Sequence, residues 1–184
     1  MGSLKSCQSR LEVASDLGEV IDVVRTGARR LLAAQGATFV LREDDKCYYA
    51  DEDSIAPLWK GQRFPLTECV SGWAMLHRAS AVIADITVDP RIPQEAYRPT
   101  YVTALVMVPI RVFDPIGAIG VYWSHRHEAA VRELSELEQL AASTGEALDR
   151  IGLDDAPWAP TFTGLAGRPA IALQPRPEAR DRVG

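Results

Sequence analysis

Two runs in the second half of the chain, Leu105–Phe113 and Ile116–Trp123, are apolar at nearly every position and are separated only by Asp114-Pro115. Asp-Pro is turn chemistry, so the pair reads as a β-hairpin. A strand with one wet face alternates apolar and polar residues. These do not alternate, so both faces of the sheet they belong to must be covered. Gly117 and Gly120 interrupt the second strand where another backbone or a ligand approaches closely.

The rest of the chain supplies the covering layers. Ala14, Leu17, Ile21, Val24, Ala28 and Leu31 recur at spacings of three and four, which predicts a helix from Leu17 to Gln35. Asp16 caps it, Glu19 completes a capping box, and Gly36 stops it. Gly18 and Gly27 weaken its regularity. Residues 1–15 form an N-terminal extension, either a linker helix or loose chain. Short strands follow at Ala37–Arg42, Lys46–Ala50 and Gly61–Leu66, then a helix over Ser71–Arg78 capped by Ser71, then a strand at Ala81–Ala84. Asp85–Thr103 is a long connection with Pro90, Pro93 and Pro99, of the kind that is functional or carries a short helix. A second long helix is predicted from about Glu128 to Ile151. Its apolar stripe, Leu134, Leu137, Ala141, Thr144, Leu148 and Ile151, has heptad spacing. From about residue 154 periodicity is lost and prolines accumulate, so 154–184 reads as an extended or partly docked tail containing Trp158, Phe162 and Ile171.

Composition narrows the class. The chain has 184 residues and 47% hydrophobic content, enough for a core without disulfides or metals. A net charge of −5 disfavours nucleic acid as partner. No apolar run reaches membrane-spanning length and no secretory core opens the chain, so a cytoplasmic location is expected. Cys7, Cys47 and Cys69 are an odd, widely spaced set, read as reduced thiols. His125 and His127 would share a strand face, but no third metal ligand accompanies them. Walker, HExxH, GxSxG and GxGxxG patterns are all missing.

At this point particular residues carry a resemblance. Ser71-Gly72-Trp73 opens the short helix, Ile83-Ala84-Asp85 ends a strand, and Asp89-Pro90-Arg91 lies in the long loop. The strands at 106–110 and 117–123 and the stretch Glu133–Leu148 follow. Over residues 16–151 this resembles a GAF domain of bacterial signalling proteins such as those associated with sensor histidine kinases. The resemblance implies an α+β fold spanning 16–153: an antiparallel sheet of five or six strands, terminal helices on one face and a small-molecule pocket on the other.

Trp73, Tyr97, Tyr101, Met107 and Trp123 are the candidate pocket walls, with Arg98 and Arg91 as anion-binding groups and Cys69 beside the pocket. The alternative for Arg91 is to hold its loop through Asp85 or Asp89. The cofactor is unknown. Cys69 is followed by Val70 rather than the histidine of bilin-attaching members, and a haem would need His77 as its axial ligand, which reads instead as a surface residue. A chain without asparagine also lacks the intact cyclic-nucleotide motif of the family. The expected function is a non-catalytic sensor that relays a ligand signal through its terminal helices to a histidine kinase or other signalling protein. The helix seams, with Ile21, Val24, Leu137, Thr144, Leu148 and Ile151, would form a homodimer. Two alternatives stand: a redox enzyme resembling free methionine sulfoxide reductases, with Cys69 as thiolate, and a purely structural dimerisation domain. Against the enzyme, segment 101–107, where the catalytic cysteine of those reductases belongs, contains none.

Overall fold

The computed structural model describes residues 3–153; the tail expected over 154–184 lies outside the described residues. The hairpin is the centre of the molecule. Strands β5 (Ala104–Ile110) and β6 (Gly117–Trp123) are buried at every residue. Around them an antiparallel six-stranded sheet runs in the order β3-β2-β1-β6-β5-β4. Its other strands are β1 (Gly36–Glu43), β2 (Lys46–Ser54), β3 (Arg63–Pro65) and β4 (Ala81–Ile83). The two-residue period sorts the side chains into two cores. Ala104, Val106, Val108, Ile110, Ile119, Val121 and Trp123 face one layer; Leu105, Met107, Ala118 and Tyr122 face the other.

The first layer is helical. Helix α2 (Leu17–Leu31) begins as its sequence predicts, with Asp16 accepting from the Glu19 N–H at 2.9 Å. It ends earlier than Gln35. Helix α5 (Val131–Arg150) runs beside it, and α1 (Leu4–Val13) lies against both. Residues 4–13 are thus part of the layer. Gly27 makes this possible: a Cβ there would stand 2.6 Å from the Cys7 sulfur. Arg150 ties the layer together by donating to the carbonyls of Leu11, at 2.6 Å, and Ala14, at 3.0 Å, at the end of α1.

This packing corrects the expected dimer seam. Val24, Leu137, Thr144 and Leu148 are completely buried inside the single chain. Their heptad spacing serves the sheet and α1, because a helix covered on two sides needs a wide apolar face. The outward positions of α5 include Ser135, Glu138, Gln139, Ala142 and Glu146, which are polar apart from Ala142.

The second layer holds α3 (Val70–His77) and the long connection from Ala84 to Thr103, which carries one short helix, α4 (Gln94–Tyr97). Among the described residues no helix is long and apolar enough to cross a membrane.

Leu148→Glu should place an uncompensated charge in the helix-side core and cost about 3–5 kcal/mol. Ala142→Glu, on the outer side of the same helix, should stay within about 0.5 kcal/mol of the parent. Urea denaturation of both variants checks this. A stable, cooperatively folding Leu148→Glu monomer would contradict the packing.

Candidate functional site

The face of the sheet opposite the helices is built around an irregularity in β2. Residues 51–54 pair with β1 in one register and 46–49 in another, with Ala50 as the extra residue between them. Such a bulge reverses the parity of the strand. Cys47 and Tyr49 therefore share a face with Glu52 and Ser54 although their numbers differ by odd steps. On the opposite face Asp51 meets Arg25 of α2 at 3.2 Å, and Asp53 pairs with Arg29. Glu52 folds the following segment back over the sheet: its carboxylate accepts from the N–H groups of Leu58, Trp59 and Lys60 at 2.9, 2.9 and 3.0 Å. That carboxylate fixes where Trp59 goes.

Trp59 lands at the centre of the face. Its ring centroid lies 5.6 Å from Tyr49, 4.7 Å from Tyr97 and 5.6 Å from Tyr122, and its indole N–H donates to the Ala96 carbonyl at 3.2 Å. Three phenols thus sit deep in the structure, and burial pushes each well above its ordinary pKa. They act as neutral O–H groups. Tyr122 pairs with Thr38 at 2.9 Å and Tyr49 with Ser71 at 3.0 Å. The Tyr97 hydroxyl is buried and finds no hydrogen-bond partner among the described residues. Gly117 and Gly120 do admit close approach, but by the protein itself: the Val40 carbonyl at the first, the Thr38 and Tyr122 hydroxyls at the second.

A narrow crevice enters this cluster between Tyr49, Trp59, Phe64, Glu68, Cys69, Pro93, Ala96 and Tyr97, with a free volume of about 10 Å³. That is room for about one water-sized molecule. Cys69 stands on it and caps α3, a role the sequence reading assigned to Ser71. The Cys69 sulfur accepts from the Gly72 N–H at 3.4 Å and lies 3.3 Å from the Ser71 hydroxyl. A hydrogen bond from the neighbouring Cys47 thiol, helped by Ser71 and the Gly72 N–H, outweighs burial and brings Cys69 down to about 7. The same contact, together with burial, pushes Cys47 up.

The predicted pocket residues are divided by this arrangement. Tyr97, Met107 and Cys69 belong to the second core, with Trp73 and Tyr101 packed at its margin. Tyr101 binds Ser54 through its hydroxyl at 2.6 Å, and Trp73 lies under the Arg91 guanidinium at 4.8 Å. Trp123 is on the other side of the sheet, stacked on His127 at 4.1 Å. The register explains the correction: Met107 pairs with Gly120, three residues from Trp123, so Met107 and Trp123 face opposite ways. Arg98 is exposed and pairs with Glu95 at 3.2 Å, away from the cluster. Arg91 binds Asp89 at 2.6 Å and the Val82 carbonyl at 3.3 Å, which holds the loop. His127 bonds Glu133 at 3.0 Å, and among the described residues no group of three or more His, Cys, Asp or Glu could hold a metal.

Trp59, Tyr122, Tyr49 and Glu52 were not singled out in the sequence, and Cys47 was read there only as a reduced thiol. Tyr122 had a readable signal, since it lies two residues from Gly120 on the Met107 face. Trp59 and Glu52 had none, because the bulge and the fold-back are invisible to a two-residue period.

Comparison with known proteins agrees with this architecture. A family model described as a GAF domain matches residues 14–149. The chain is similar to the GAF domain of a phosphoenolpyruvate-protein phosphotransferase from Coxiella burnetii, at TM-score 0.72 and 15% identity, covering 82% of this chain and 93% of that one. It is similar to a free methionine-R-sulfoxide reductase from Neisseria meningitidis, solved with its substrate, at TM-score 0.70 and 16% identity, covering 82% and 89%. Residues 122 to 287 of a methyl-accepting chemotaxis protein match at TM-score 0.68 and 21% identity, covering 82% and 99%. At these identities the likeness is one of fold. No curated protein matches the sequence.

Two outcomes follow from the hydroxyl pairing and the thiol. Tyr122→Phe should leave the Thr38 hydroxyl unpaired and cost about 1–3 kcal/mol, whereas Tyr97→Phe should be neutral or stabilising; urea midpoints compare them. Alkylation of Cys69 by iodoacetamide should rise from about pH 6 to about pH 8 as its thiolate forms, while Cys47 and Cys7, both held up, stay slower. Mass mapping of the labelled cysteines reads the order.

Proposed function

This chain belongs to the GAF family, and on that footing we propose that it is a non-catalytic regulatory module of a bacterial, cytoplasmic signalling system. A small molecule engages the face covered by residues 84–103, and the helix layer carries the change to a partner. The unpartnered Tyr97 hydroxyl carries this reading. A buried hydroxyl without a partner costs about 1–3 kcal/mol, which a ligand group hydrogen-bonded to it would recover. Small-molecule sites usually need about 300–1,000 Å³, far beyond the present crevice. Binding therefore requires residues 84–103 to lift from Trp59 and Tyr122. Polar ties hold that segment to the rest of the chain: the Trp59 indole N–H to the Ala96 carbonyl at 3.2 Å, Arg91 to the Val82 carbonyl at 3.3 Å, and Tyr101 to Ser54 at 2.6 Å. In the lifted form Tyr97, Tyr101, Met107, Trp73 and Cys69 would be ligand contacts.

The output runs through α1, α2 and α5. The surface they offer a second copy, or a larger partner such as a histidine kinase, is the polar groove between α1 and α5, lined by Gln8, Glu12, Gln139, Ser143 and Glu146.

A second reading, reduction of free methionine sulfoxide, is favoured by the lowered pKa of Cys69. Turnover of that substrate with dithiothreitol as reductant would establish it, and loss of turnover in Cys69→Ser would assign the residue.

For the regulatory reading, thermal shift with a panel of nucleotides, aromatic acids and tetrapyrroles is the test. A ligand at about 100 times its Kd adds about 2.7 kcal/mol, or roughly 5–10 °C in Tm. It should also change the fluorescence of Trp59, and Trp59→Phe should remove that change. A panel that moves neither Tm nor fluorescence, with nothing co-purifying by native mass spectrometry, argues for a permanently packed relay.

A further inference from the structure

Cys47 and Cys69 come from distant parts of the sequence, and the sheet brings them together. Lys46, next to Cys47, pairs with Pro65 of β3, and the Cys69 sulfur lies 3.5 Å from the Pro65 carbonyl. Cys47 pairs with Phe64 on the same two strands, and its side chain enters the core to which Cys69 belongs. Both are free, and both belong to the second core. Cys7 lies in the helix-side core, on the opposite side of the sheet. Only Cys69 of the pair lines the crevice, whose rim includes the exposed Glu68 and whose volume of about 10 Å³ suits a molecule little larger than water. The Gly72 N–H donates to the Cys69 sulfur at the N-terminus of α3, the Ser71 hydroxyl lies 3.3 Å from it, and the Cys69 S–H donates to the Pro65 carbonyl until the thiol ionises.

We infer that Cys47 and Cys69 form a peroxide-responsive dithiol, with Cys69 the attacked residue and Cys47 the resolving one. The Cys69 thiolate attacks one oxygen of hydrogen peroxide. An S–O bond forms, the O–O bond breaks, and hydroxide leaves. The sulfur is now a sulfenic acid. Hydroxide takes the Cys47 proton, and the Cys47 thiolate attacks the sulfenyl sulfur. An S–S bond forms, the S–O bond breaks, and a second hydroxide leaves, to be neutralised by the proton that Cys69 first released. Two thiols are oxidised and one peroxide is reduced to two waters. The product joins β2 to the first residue before α3, so it pins the N-terminus of that helix to the sheet. A dithiol reductant reverses it.

The inference does not rest on the ligand-binding reading, and either can fail without the other. The test uses the folded full chain, treated with hydrogen peroxide, then alkylated and mapped by mass spectrometry. Free thiols should fall from three to one, with Cys7 remaining and a Cys47–Cys69 linked peptide appearing, and dithiothreitol should restore all three. Cys47→Ser should stop at a Cys69 sulfenic acid that dimedone labels, and Cys69→Ser should leave Cys47 unoxidised. Mapping the unaltered protein keeps the test decisive if a variant fails to fold. Three thiols surviving excess peroxide, a bond that includes Cys7, a bond only between chains, or a linked pair formed by methionine sulfoxide but not by peroxide would each overturn it.

Discussion

Burial of β5 and β6 on both faces is the constraint from which the rest of the molecule follows. Every residue of the two strands is withdrawn from water, so neither face of the sheet centre is left for solvent. Alternation then separates two independent cores that share a backbone but not side chains. The helix-side core is closed by three helices drawn together at Gly27 and by Arg150. The other is closed by irregular chain, and that difference in covering material places the candidate site. Helices satisfy their own backbone groups; a loop cover must find partners one at a time.

Those partners are local and specific. The Glu52 carboxylate gathers three N–H groups of the segment that brings Trp59 over the sheet. Asp89 and Arg91 hold the long connection, and Trp59 ties it to the cluster through the Ala96 carbonyl. A cover held by a few side-chain bonds opens at lower cost than a packed helix. Among the described residues the polar groups beneath it are nearly all paired. Tyr97 is the exception, and Cys69 is the thiol that stands on the narrow crevice into this core.

The helix layer shows how one sequence signal serves two structures. Leu137, Thr144 and Leu148 have the spacing of a coiled-coil seam, and so does any helix that covers a sheet while carrying another helix on its flank. Periodicity reports that a wide face is buried. It does not report whether the burying partner is α1 of the same chain or a symmetry mate. The N-terminal residues decided the matter: α1 occupies the flank, with Cys7 against Gly27 and Gln8 donating to Ser143 at 3.2 Å.

What the sequence determined by itself was local or strictly periodic. The Asp16 cap, the hairpin about Asp114-Pro115, its apolar strands covered on both faces, the Arg91–Asp89 loop tie and the layered α+β architecture all follow from contacts within a few residues or from a regular pattern. The family pattern over the central region rests on the same elements. Tertiary structure alone decided which side of the sheet each candidate residue serves. Trp123 and Met107 look equivalent as aromatic and apolar members of one hairpin, yet strand register sets them on opposite faces. The extra residue at Ala50 reverses the parity of β2 and so brings Cys47, Tyr49 and Glu52 to one face. The meeting of Cys47 with Cys69, and of Trp59 with Tyr97 and Tyr122, depends on chain segments far apart in sequence. No local propensity encodes such meetings, because each is fixed only when the whole sheet closes.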